Sequence, residues 1–217
     1  MNKRSTLKQV IKLFVAEKLL KTYDQIDHEN PRIFHTHSSI LNVYDFDDTL
    51  AFTKEQVYIR DKDGNLLKKL NPSEYAVYEK KPNEVSDYQD FKYVSDPDVN
   101  KEILNKFKLS LINPHTKETT YILTARGHEA GEWIHNFLKK NKASFEDEHI
   151  ITLNSNNPSD KSSWIKNKMI ELDIPRVHFW DDSLKNIHSV KNLQYDFELN
   201  KIFGKELFII CNQVIKK

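Results

Sequence analysis

Three aspartates, Asp45, Asp47 and Asp48, fall within four residues of the stretch NVYDFDDTLAFT, directly after an apolar run suited to the middle of a sheet. Like charges about 4 Å apart cost roughly 4 kcal/mol per pair at an effective dielectric of 20, so such a cluster needs something to offset it. A carboxylate placed this way can attack an electrophile such as phosphorus, give and take a proton, or bind a hard cation. Mg²⁺, which takes oxygen ligands from one or two carboxylates plus a substrate phosphate, would relieve the repulsion. Further along the chain stand Thr124, Lys161 and the pair Asp181 and Asp182, whose types suit the same chemistry.

These groups need elements to bring them together. The run SSILNVYDF mixes β-branched, aromatic and apolar residues with little alternation, as a strand buried on both faces does. TTYILTA, EHIITLN, RVHFW and ELFIICN resemble it. Helical patterns lie between them: around 98 to 110, then EAGEWIHNFLKKN, DKSSWIKNKMIEL and SLKNIHSVKNL. Alternating strands and helices predict an α/β fold with a parallel sheet covered on both faces. Ligands of such sheets bind beyond the carboxyl ends of the strands. Asp45 and Asp47 follow the first strand, Thr124 the second and Asp181-Asp182 the fourth, while Lys161 opens the helix after the third. One segment, about 51–97, breaks the rhythm: QVYIRDKDGNLLKKL reads as a hairpin about an Asp-Gly turn, followed by a stretch rich in tyrosine, proline and acids.

DFDDTL, ILTAR, the lysine of SDKSSW and WDDS resemble, in order, the four motifs of the haloacid dehalogenase-like superfamily, spread over residues 39 to 190. The pairing of Asp45 with Asp47 is similar to its phosphatases, since the dehalogenases lack the second aspartate. In general appearance the chain is also similar to small hydrolases of this superfamily encoded by tailed bacteriophages. The resemblance implies a three-layer α/β/α doubly wound domain over 39–217, with the insertion as a small cap. It implies Mg²⁺ held by Asp45, the backbone carbonyl of Asp47, and Asp182, with Asp181 behind them and paired with Lys161. Many members have glycine before the last metal ligand where this chain has Asp181, which leaves open how the two aspartates divide direct and outer roles.

In that frame Asp45 would attack phosphorus to form an aspartyl-phosphate, and Asp47 would protonate the leaving oxygen, its own protonation favoured by neighbouring negative charge. Lys161 would neutralise the nucleophile, and the Thr124 hydroxyl would hold the transferring group. Arg126 suits a bidentate phosphate contact or, equally, an ordinary surface loop. Asp48 and Thr49 are expected to stabilise the turn. Tyr58, Arg60, Tyr75 and Tyr78, in the insertion, are the candidates for substrate selection.

The other features bound the answer. Among 217 residues, 33 basic and 32 acidic side chains give a charge of +1, so no overall field draws the protein to nucleic acid. The four glycines form neither a P-loop nor a dinucleotide fingerprint. No apolar stretch is long enough to span a bilayer, and the single cysteine, Cys211, suits a reducing cytoplasm, that of a host cell if the chain is phage-encoded. Residues 6 to 21 read as a basic amphipathic helix that docks on the domain or on a protein partner. His35 and His37 lack a third ligand and read as a strand edge or loop; His128 faces the site or lies exposed in a first helical turn; Trp133, Trp164 and Trp180 read as core.

These readings make the chain a phosphohydrolase whose substrate is a phosphorylated small molecule, a nucleotide or a nucleic-acid end. The rivals are a phosphotransferase or mutase sharing the aspartyl-phosphate step, and a phage-type binding protein on this fold without turnover.

Overall fold

A computed structural model describes residues 39–113, 116, 119–143 and 145–215; the expected N-terminal helix and His35 and His37 lie outside them. The central sheet is built from β1 (Ile40–Tyr44), β7 (Thr120–Thr124), β8 (Ile150–Thr152), β9 (Arg176–Asp181) and β10 (Phe208–Gln213). Its order is β10-β9-β1-β7-β8, with every neighbouring pair parallel. All five correspond to the apolar runs of the sequence. From β1 the chain moves outward through β7 to β8, then crosses to β9 on the other side of β1, so the direction of winding reverses between β1 and β9.

Side chains of β1 alternate between two cores, as the pleat requires. Tyr44 joins a cluster with Phe107, Ile134, Phe137 and Leu138, while Leu41 and Val43 join another with Ile165, Met169, Ile187, Val190 and Leu199. The first belongs to α2 (Lys101–Ile112) and α3 (Gly131–Lys140), the second to α4 (Pro158–Leu172), α5 (Leu184–Lys191) and α6 (Phe197–Phe203). The result is a mostly parallel sheet between two helical layers, compatible with a Rossmann-like fold. Local chemistry sets the helix starts. Asn157 caps α4, its side chain accepting the Ser159 N–H at 3.2 Å ahead of Pro158 in the first turn, and Ser183 caps α5.

Between β1 and α2 the chain forms β2 (Ala51–Phe52), β3 (Val57–Arg60), β4 (Leu66–Leu70), α1 (Pro72–Ala76), β5 (Val85–Asp87) and β6 (Asp98–Val99). The expected hairpin is β3–β4, with Gly64 at φ 86° in the turn, and β5 adds a third strand to the other side of β3. Val57, Ile59 and Leu70 are its small core. The pair β2–β6 returns the chain to the main body. No helix among the described residues is long and apolar enough to cross a membrane.

The expectation that Trp133 is core is not met: it is 45% exposed on α3 and packs edge-on against the half-exposed Tyr93. Trp180 is buried and stacked on Tyr44, and Trp164 is partly buried against the second core.

Candidate active site

Strand register places the first two acids. Tyr44 pairs with Trp180 across β1 and β9, and the Asp45 N–H continues the ladder by donating to the Trp180 carbonyl at 2.9 Å. One step further along each strand puts Asp45 beside Asp181, at the reversal of winding where sheets of this kind bind ligands.

Lys161 completes the pair from the helical layer that covers Leu41 and Val43. It lies on α4 in phase with Ile165 and Met169, so its stem follows the buried stripe and its head reaches the end of the sheet. Its Nζ donates to Asp45 Oδ1 and to Asp181 Oδ2, each at 2.7 Å. Burial disfavours the ammonium, but Asp181 and Asp45 hold its pKa above the ordinary lysine value. Asp181, fully buried, also accepts the Ser183 N–H at 2.9 Å and the Asn186 amide at 3.0 and 3.1 Å. Asn186 is a member of the site that sequence reasoning did not single out, although it stands three residues after the N-cap Ser183.

Asp45, Asp181 and Asp182 can each offer a carboxylate oxygen such that the three lie within 4.8 Å of one another. Lys161 balances only one of those charges. The imbalance is visible in their protonation: burial drives the Asp45 pKa well up, Lys161 pulls it down, and Asp181, Asp182 and Asp47 push it up again. Asp182 is raised to about 7 by burial, by Asp181 and by Asp48. An all-oxygen, carboxylate-rich donor set short of positive charge fits a hard divalent cation. Of the trio, Asp182 is partly exposed, whereas Asp181 has both oxygens engaged by protein donors.

Asp47 departs from expectation. Its side chain lies outside that trio and turns to Arg126, whose Nε donates to Oδ2 at 2.9 Å and whose Nη2 donates to Oδ1 at 2.7 Å. Thr53 Oγ1 donates to Oδ1 as well, at 2.7 Å. The nearest charge to Asp47 is thus positive, not the negative neighbourhood anticipated. Its expected metal contact runs through the backbone carbonyl and involves no side-chain oxygen.

Arg126 fits neither of its two readings. It is buried, and every nitrogen of the guanidinium is engaged: besides Asp47, Nη2 pairs with Glu55 Oε2 at 3.3 Å, and Nη1 donates to the carbonyls of Phe91, at 3.1 Å, and of Tyr93. A guanidinium with all its nitrogens held by protein has no fork to offer a phosphate. Nor is it on the surface. The correction is physical: the insertion supplies acceptors, 35 and 33 residues away in the chain, that local sequence around TARG does not reveal.

Thr124 ends β7, fully buried, and its hydroxyl accepts the Arg126 N–H at 3.3 Å. The turn after Asp45 is tightened by Asp48 in the left-handed region, φ 48°, and by the N–H groups of Leu50 and Ala51, which both donate to the Phe46 carbonyl, at 3.0 and 3.1 Å. His128 is exposed, with Nδ1 2.8 Å from Thr152 Oγ1.

The four insertion residues expected to face substrate have partners within the insertion. Tyr58 donates to Asp90, Arg60 to Asp87 and Gly64, and Tyr78 to Glu84, while Tyr75 meets Ser86 and Tyr88. Contact with the loop after β8 runs instead through Asn156, whose amide donates to the Tyr88 hydroxyl at 2.9 Å.

Comparison of the chain with protein-family models, with curated proteins and with solved structures gave no match. What defines the class is therefore the fold and the site: an α/β protein with a carboxylate trio and a buried lysine at the winding reversal of a parallel sheet.

Proposed function

We propose that the chain is a Mg²⁺-dependent phosphomonoesterase of the haloacid dehalogenase-like superfamily, acting through an aspartyl-phosphate. The observation that supports this most is the ammonium of Lys161 lying 2.7 Å from both Asp45 and Asp181, with Asp182 close enough to complete a cation site. Three of the four sequence motifs, those of Asp45, Lys161 and Asp181-Asp182, meet there, Lys161 standing 116 residues from Asp45 and 20 from Asp181 in the chain.

Asp45 and Asp182, with the Asp47 backbone carbonyl, are the groups that would hold Mg²⁺. When bound, the ion supplies neutralising charge for the phosphoryl oxygens. Lys161 fixes Asp45 Oδ1 and leaves the other oxygen to attack phosphorus in line. The new O–P bond forms as the bond from phosphorus to the ester oxygen breaks, and Asp47 delivers a proton to that departing oxygen. Asp47 then accepts a proton from the water that attacks the aspartyl-phosphate, releasing inorganic phosphate and restoring Asp45. The Thr124 hydroxyl, at the end of β7, is the hydrogen-bonding group for the transferred phosphoryl.

The substrate class is a phosphorylated small molecule, a nucleotide or the terminal phosphate of a nucleic acid. Asp45→Asn tests the reading. It removes the nucleophile at nearly constant shape, and Mg²⁺-dependent phosphate release from an aryl phosphate should fall by a factor on the order of 10³ or more. A folded variant that keeps the parental rate takes Asp45 out of the mechanism.

A further inference from the structure

Arg126 is 3% exposed, yet the chemistry above gives it no direct task. Burying a guanidinium is costly unless it is paired, and its partners here come from separate stretches of chain. Asp47 lies in the turn after β1, Glu55 in the link from β2 to β3, and the Phe91 and Tyr93 carbonyls in the segment leading to β6. The rings of Phe46 and Phe91 lie 5.8 and 5.0 Å from the guanidinium carbon. Glu55 is itself anchored, accepting the Ser95 N–H at 2.8 Å and the Ser95 hydroxyl at 3.1 Å. Seen from Asp47, both carboxyl oxygens are held, Oδ2 by Arg126 and Oδ1 by Arg126 and Thr53, so the group cannot rotate without breaking the fork. The same guanidinium ties that carboxyl to the seat of the insertion.

We infer that Arg126 is a positioning residue for proton transfer: together with Thr53 it fixes the orientation of the Asp47 carboxyl, and it makes that orientation depend on the insertion being seated. A lysine could meet one oxygen of Asp47 at a time but could not reproduce the planar fork. The inference rests on the phosphomonoesterase reading above.

Two esters separate positioning from mere support of the fold. An alkyl phosphate leaves as an alkoxide that needs a proton, whereas dinitrophenyl phosphate leaves without one. The parent, Arg126→Lys and Thr53→Val are compared by kcat/KM for Mg²⁺-dependent phosphate release, which covers the steps through transfer to Asp45, with thermal melts as a check on folding. Arg126→Lys should lose about 10²-fold on the alkyl ester, the scale of general acid catalysis, and under about 3-fold on the dinitrophenyl ester. Thr53→Val should show the same contrast at smaller size. If Arg126→Lys does not fold, the Thr53→Val contrast decides alone. Equal losses on both esters, or no loss on either, overturn the inference while leaving Asp45 and the phosphomonoesterase reading untouched. A parent that releases phosphate from neither ester overturns that reading, and this one with it.

Discussion

Asp182→Asn should make the metal-free protein more stable while abolishing its response to Mg²⁺. In the absence of a cation Asp182 sits against Asp181 and Asp48 in a largely desolvated position, and its pKa rises to about 7 from an ordinary 3.8. The sign follows from linkage. A carboxyl whose folded pKa lies above its unfolded one contributes fully below the unfolded value, and stability is lost as pH rises through the folded value. Between about pH 4 and pH 7 the parent therefore loses stability that the neutral asparagine does not. A shift of about 3 units corresponds to roughly 4 kcal/mol at most, and about 2 kcal/mol once water reaching this partly exposed group is allowed for. For a domain of this size that is about 4–8 °C in Tm at pH 8. Melts with chelator at pH 5 and pH 8, repeated with Mg²⁺, measure both effects. The variant should gain at pH 8, gain less at pH 5, and show little of the rise that Mg²⁺ gives the parent. A variant that is no more stable at pH 8, or one that Mg²⁺ stabilises as much as the parent, refutes the view of Asp182 as an uncompensated ligand.

Two further perturbations test the surrounding fold. Asn42, fully buried in β1 on the Tyr44 side, has neither amide atom hydrogen-bonded among the described residues, so Asn42→Leu should add about 1–3 kcal/mol in urea unfolding at unchanged slope; a loss would mean the amide has a partner. His178 has its pKa lowered to about 4 by burial and by Arg176. Since the unfolded ring takes a proton first, the parent should lose roughly 1–3 kcal/mol between about pH 6.5 and pH 4, a slope absent from His178→Phe; parallel pH profiles would contradict it.

Much of this site was legible because strand ends and helix phase are local. The five sheet strands each showed as a mainly apolar run with little alternation, and Lys161 stood in phase with Ile165 and Met169, a charge on a stripe otherwise meant for the core. What escaped depended on register and on long-range closure. That Asp45 lies beside Asp181 follows from the pairing of Tyr44 with Trp180, which nothing within either strand specifies. The insertion hid more. Nothing local singles out Thr53 or Glu55, and Arg126 suits a phosphate contact and a surface loop equally, because the carbonyls of Phe91 and Tyr93 and the carboxyl of Asp47 come to it from 33 to 79 residues away. Trp133 was misread as core because its helix buries Ile134, Phe137 and Leu138, one position out of its own phase.

The most direct test of the nucleophile is to stop the reaction early and look for it. With Mg²⁺ and a phosphate monoester, rapid acid quench followed by peptide mapping should find a phosphoryl group on the carboxyl of Asp45, and none in Asp45→Asn. Steady phosphate release from the parent with no phosphorylated carboxyl at position 45, and the same release from the variant, would contradict the account.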